Sequence, residues 1–303
     1  MEKNLLLGQG LGLLTAICIA HNAVVYRYLG QRLGSESVAH TRMWLALPLV
    51  LILTRVVEGV WYPTGWALST HLILLTSGVL GYFLTDLLMF RAYVLLGSRE
   101  SMVIMTLSPV VTALFSLRLF DERLSMIQSL GMLVTIGGIA TMTLLDGKGD
   151  GQQSKGSNKL RGVIYAMVAA VLQSVSFLLA KYALTDGTPV ATNLVRTVGG
   201  LGAFIIFNGI IKRNAKAHFQ GLKNPRYLGL LLLASIAGPV VGMSSQMKAF
   251  TLAPVALVST IVQISPILLL PFDYLILKRK VSTASLVGTL LSIGGIALLF
   301  LAV

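Results

Sequence analysis

Charge is what this chain has least of. Only 12% of its 303 residues are Asp, Glu, Lys or Arg, and the acids number 11. A soluble domain of this length must cover itself with polar side chains, and this composition cannot supply that surface. Cysteine occurs once, at Cys18, so no intrachain disulfide can form. No glycine-rich phosphate loop, metal-ligand spacing or nucleophile motif occurs along the chain. ATP-driven pumping and covalent catalysis therefore have no visible carrier, and neither a cofactor nor a metal is expected. The alternating segments of about 10 residues that mark a membrane β-barrel are also missing. A run such as Leu286 to Val303 shows almost no alternation.

What the chain does have is apolar length. Hydrophobic residues make up 55% of it, and the mean hydropathy is +0.82. Runs of about 20 apolar residues match helices crossing a bilayer core of roughly 30 Å. The predicted helices lie near 5–26, 37–54, 72–95, 101–120, 126–145, 160–183, 190–211, 228–250, 255–277 and 283–303. The expected fold class is thus all-α integral membrane, with ten spans. Only Glu2 and Lys3 precede the first run, which reads as an uncleaved first helix and not a secretory signal. The net charge is +13, yet the Lys and Arg residues sit mostly in the connections. They read as positive-inside bias and as contacts to anionic headgroups of the lipid bilayer. Nucleic acid is not an expected partner, because no soluble module is left to carry it.

The two halves repeat. A shift of 157 takes Gly81 to Gly238, Ala92 to Ala249, Ser108-Pro109 to Ser265-Pro266 and Ile136 to Ala140 onto Ile293 to Ala297. Earlier, a shift of 154 takes Arg42 to Arg196 and Arg27 to Lys181. Such density on one diagonal signals an internal repeat. The expected domains are a first five-helix unit over 1–146, a hydrophilic linker over 147–159 and a second unit over 160–303. Five is odd, so the second unit enters the membrane from the opposite face. Inverted repeats of this kind are typical of secondary transporters.

Several motifs resemble a known group. The fourth predicted helix reads Ser108-Pro109, then Phe120-Asp121-Glu122-Arg123-Leu124-Ser125, followed by Gln128-Ser129-Leu130-Gly131 and Ile136-Gly137-Gly138-Ile139. With Asn22, Arg27 and Arg42, these make the chain similar to the ten-helix EamA-type transporters of the drug/metabolite transporter superfamily. The chain departs from them with Ile19-Ala20 in place of Trp-Gly, and with Lys278-Arg279-Lys280 where many relatives repeat Glu-Arg. The resemblance implies export or exchange of small metabolites, such as amino acids, across the cell membrane. The drive would be an ion gradient, with a proton as the coupling candidate, or simple facilitation.

Polar groups at membrane depth are the candidates for chemistry, since each costs about 2.5–3.5 kcal/mol without a partner or a wet cavity. Asp86 breaks the repeat, its mate being Met243. It suits a proton or a substrate amine, or a structural ion pair with Arg42 or Arg91. Arg42 and Arg196 suit an anionic substrate group, or a snorkelling role. His21, Tyr82, Gln173, Gln246 and Gln263 are candidate cavity lining. Pro109 and Pro266 are candidate hinges. Gly131 and Gly138, with copies Gly288 and Gly295, are candidate packing positions. They join the fifth and tenth helices within one molecule or between the two of a homodimer.

Two readings stay open. On the side of the termini lie Lys3, Arg55, Arg118, Arg123, Lys181, Arg196 and Lys248, and the other side takes the rest of the 24 basic residues. The positive-inside rule then puts the termini outside, whereas the resemblance implies the cytoplasm. A channel-like permease, a membrane enzyme and a non-transporting sensor are the rival functions. A clustered nucleophile, acid or metal set would mark the enzyme.

Overall fold

The computed structural model describes residues 2–121, 124–144, 157–268 and 283–301. Among these the chain is helical, without a strand. Helices α1 (Glu2–Leu33) and α2 (Ser35–Glu58) are followed by α3 (Leu68–Leu96). Helix α4 has two segments, Ser98–Met105 and Leu107–Leu119, and α5 spans Met126–Leu144. The second half holds α6 (Ser157–Ala183), α7 (Pro189–Ile211) and α8 (Pro225–Leu252). It closes with α9, in segments Val255–Val262 and Ser265–Leu268, and α10 (Thr283–Leu301). Seven of these, α1 to α4 and α6 to α8, are long and apolar enough to cross a membrane. Most of the expected linker, the Glu122-Arg123 pair and the Lys278-Arg279-Lys280 run fall outside the described residues.

Local chemistry sets the ends. Gly59 closes α2 at φ 75°, its N–H returning to the Arg55 carbonyl, a left-handed cap that glycine adopts without strain. Pro189 and Pro225 open α7 and α8, where a missing N–H costs nothing. The α7 N-terminus is also capped from a distance. Glu58 accepts from the Val190 and Ala191 amides at 2.8 and 3.0 Å, placing an acid at the positive end of the helix dipole.

Two kinds of irregularity recur at repeat-related places. Both α3 and α8 contain a π-helical stretch, Val79–Thr85 and Ile236–Gly242, and the shift of 157 superposes them. Pro239 explains the second, because it lacks the N–H for a bond four residues back. In the first, Thr85 Oγ1 donates to the Leu80 carbonyl five residues back at 2.8 Å. Helices α4 and α9 both break four residues before a proline, at Met105-Thr106 before Pro109 and at Val262-Gln263 before Pro266. A proline cannot bond that carbonyl and its ring crowds it.

Helices α5 and α10 lie side by side. A Cβ on Gly138 would fall on the Gly288 carbonyl and Ser292, and one on Gly295 would fall on Thr135 and the Gly131 carbonyl. Ser292 Oγ also donates to the Thr135 carbonyl at 3.2 Å. The remaining helices enclose the core, while Leu114, Phe115, Leu117 and Leu119 on α4 face outward. An apolar exterior of that kind suits lipid.

Candidate functional site

A cavity of about 110 Å³ sits where α1, α2, α3, α4, α6, α8 and α9 converge. Its apolar wall includes Ile19, Met89, Phe90, Met102, Phe177 and Met243, and its polar groups include Asn22, Tyr26, Arg42, Asp86, Gln173 and Gln263. The cavity reaches the breaks of α4 and α9 through Met105, Val262 and Gln263, and the π-helical stretch of α8 through Gly238.

Arg42 and Asp86 form an ion pair on this cavity. Arg42 also donates to the Tyr26 hydroxyl at 3.3 Å, and its guanidinium lies 5.2 Å from the Tyr26 ring and 5.3 Å from Phe90. The Tyr26 hydroxyl accepts from Asn22 at 3.2 Å and donates to the Ala234 carbonyl at 3.3 Å. The pair is therefore held by a network of hydrogen bonds that leaves one guanidinium nitrogen, Arg42 Nε, buried without a partner.

Its repeat mate, Arg196, is built differently. Arg196 is fully buried and donates to Ser77 Oγ at 2.9 Å, Ser176 Oγ at 3.1 Å and the Met247 sulfur at 3.3 Å. The Tyr82 ring stacks 4.9 Å from it. Ser77 and Ser176 lock α3 to α6 by donating to each other's carbonyls at 2.7 Å. No carboxylate is bonded to Arg196 among the described residues, so the two arginines and Asp86 together carry one surplus positive charge.

Other candidates stand elsewhere. Tyr82 is buried off the cavity, and its hydroxyl donates to Asn193 Oδ1. His21 lines a groove of about 590 Å³ with Ile17, Tyr28, Arg226 and Leu268, its Nδ1 3.2 Å from Asn22 Oδ1. Gln246 is fully buried, and neither atom of its amide has a partner. Pro109 lies on the second segment of α4 and is buried. Sequence reasoning missed Ser77 and Ser176. Only their polarity inside apolar runs could have flagged them.

Some of the lining is symmetric, since the repeat mates Ile19 and Gln173, Ala23 and Phe177, Asp86 and Met243, and Met105 and Val262 all lie on the cavity, and the rest is not. Arg42, Thr85, Met89, Phe90, Tyr93 and Met102 line it. Their second-half mates are Arg196, Gly242, Gln246, Met247, Phe250 and Ser259, all buried and none on the cavity. Ser259 Oγ, like the Gln246 amide, has no hydrogen-bond partner.

A family model described as the EamA-like transporter family matches residues 6–144 and again residues 160–301. No curated protein matches the chain. One solved crystal structure is similar in fold, with a TM-score of 0.66 over 94% of this chain and 97% of its own, at 18% sequence identity. At that identity the likeness speaks for the fold alone.

Proposed function

Because the chain belongs to the EamA-like transporter family, we propose that it is a ten-span secondary carrier of small amphoteric metabolites in the cell membrane. Amino acids and their relatives are the substrate class, and the family supports export as the direction. The carrier works by alternating access between two inverted repeats. One observation carries this reading: Arg42, Thr85, Met89, Phe90, Tyr93 and Met102 line the cavity, while their second-repeat mates are buried away from it. Exchange of conformation between inverted repeats would open the second set and close the first.

The Arg42–Asp86 pair is the substrate contact. Removing one partner of a buried pair costs about 3–5 kcal/mol. A ligand must therefore replace both partners at once, offering a cation to Asp86 and an anion to Arg42. The surplus positive charge favours the ligand's carboxylate. The aromatic and methionine wall accepts an apolar side chain. Protonation of Asp86 competes with both Arg42 and the ligand's cation, so a coupling proton binds in the step of the cycle in which neither is paired with it.

A solute-uptake panel on purified protein in liposomes, with and without a proton gradient, tests this. Wild type should show saturable flux that follows the gradient, and Asp86→Asn should lose at least tenfold of it. Absence of saturable flux for every solute, from monodisperse protein, would overturn the carrier. Gradient-independent saturable flux that survives in Asp86→Asn would leave a facilitator, with Asp86 structural.

A further inference from the structure

Away from the cavity, two histidines 178 positions apart meet. His40 on α2 and His218 on the short helix Ala215–His218, in the crossover between α7 and α8, have their Nδ1 atoms 3.1 Å apart. Trp44 Nε1 donates to His40 Nε2 at 3.1 Å. An indole N–H can only donate, so His40 Nε2 carries no proton. His40 Nδ1 therefore holds the proton and donates it to His218 Nδ1. The chain from Trp44 to His40 to His218 has one direction, and it requires the two imidazoles to be neutral together. A proton on His218 Nδ1 would face the His40 N–H head-on. A proton on His40 Nε2 would face the Trp44 N–H.

Aromatic contacts surround this chain. His40 stacks on Phe204 at 5.5 Å, and Phe219 meets His40 and Trp44 edge-on at 5.7 and 6.0 Å. The charged neighbours are few. From α2 comes Glu36, bonded to Lys212 Nζ at 2.7 Å and to Arg91 of α3 at 3.2 Å. The end of α7 brings Lys212 and Arg213, and the crossover itself brings Lys216 and Lys223. Burial, the largest cause, and Lys212 hold the His218 imidazole below the usual histidine range, against the pull of Glu36.

The crossover also has a place to bend. The π-helical end of α7, Ile205–Ile211, leads into Arg213 at φ 53°, a left-handed conformation for a branched-free but bulky side chain. Buried Asn208 in that stretch has no partner for either amide atom. Strain and an unmet amide at one joint lower the cost of rearranging it.

We propose that His40 and His218 form a proton-binding site, separate from the transport cavity, that latches the α7–α8 crossover to α2 when neutral and releases it when protonated. The sign follows from the geometry. The latched state disfavours the proton, so it is fully stabilised above the ordinary histidine value near 6.5. It weakens as pH falls below that value. The Glu36–Lys212 pair is partly exposed and holds the crossover only weakly. It therefore does not replace the latch.

Electron-resonance distance measurement tests the latch, with spin labels at Lys216→Cys and Val57→Cys in a Cys18→Ala background. Wild type should give a narrow distance at pH 8 and a longer, broadened one at pH 5. In His218→Gln the amide oxygen still accepts from His40 but does not titrate, so the distance should stay narrow at both. His218→Phe, with no acceptor, should be broad at both. An unchanged wild-type distance between pH 8 and pH 5 would overturn the proposal. So would a pH response that persists in His218→Gln. The readout needs no substrate, so a failure here is distinct from a failure of the carrier reading.

Discussion

Asn193 is the side chain on which both repeats converge. It accepts from the Tyr82 hydroxyl and donates to the Pro239 carbonyl at 2.7 Å and to Ser244 Oγ at 3.0 Å. Tyr82 and Pro239 are repeat mates under the shift of 157, so one amide on α7 bridges equivalent points of α3 and α8. Asn193→Leu keeps the volume and leaves these partners unpaired, which should cost about 1–3 kcal/mol. Tyr82→Phe alone should cost about 0.6–1.7 kcal/mol, the range for such bonds within membranes. A thermal-unfolding double-mutant cycle in detergent checks this. Tyr82→Phe should cost little more in the Asn193→Leu background, and strict additivity would show that the bond carries no coupling. Sequence alone reached part of this scale. Asp86 and Arg42 stand out because a charge within an apolar run demands a partner, and the sequence offers Arg42 and Arg91 as partners for Asp86. Asn193 appears in sequence only as one more uncharged polar residue of unknown facing. Its bond to Tyr82 spans 111 positions, and no local pattern records that.

Helix boundaries and proline breaks were largely legible, because turn residues and missing amide hydrogens act locally. The π-helical stretches were not, since one extra residue per turn leaves an all-apolar segment looking unchanged. What they do is set a close crossing. Gly78 opens the stretch in α3, and a Cβ there would fall on the Arg196 carbonyl. Its mate Ser235 opens the stretch in α8 and donates to the Arg42 carbonyl at 3.4 Å. Each arginine thus has its backbone pressed against the opposite repeat. The α5–α10 pair has no residue on the cavity among the described residues, so its role is separable from substrate handling. Gly138→Leu should overpack that contact by about 1–3 kcal/mol. The unfolding midpoint should then drop while the KM for the substrate found in the liposome panel stays within twofold. A large change in KM with an unchanged midpoint would assign α5 and α10 to the transport path instead.

At the scale of the molecule, the repeat accounts for two of the unmet polar side chains, Gln246 and Ser259. Burying an amide without hydrogen bonds costs about 1–3 kcal/mol by protein mutational measures, and Gln246 and Ser259 both bear that penalty. Their mates Met89 and Met102 line the open cavity. If the repeats exchange conformations, Gln246 and Ser259 become wet and Met89 and Met102 become packed. The polar residues then gain partners and the apolar ones leave water. The penalty in the present state brings the two states closer in energy, and ligands shift populations most effectively when the gap is a few kcal/mol. The prediction is reciprocal labelling. In a Cys18→Ala background, Met89→Cys should react with a small maleimide while Gln246→Cys resists. Conditions that drive transport should reverse that order, lowering one rate as they raise the other. Two rates moving in the same direction would indicate loosening of the whole bundle. Two that never move would indicate a fixed pore, and either result would remove the exchange of repeats from the mechanism.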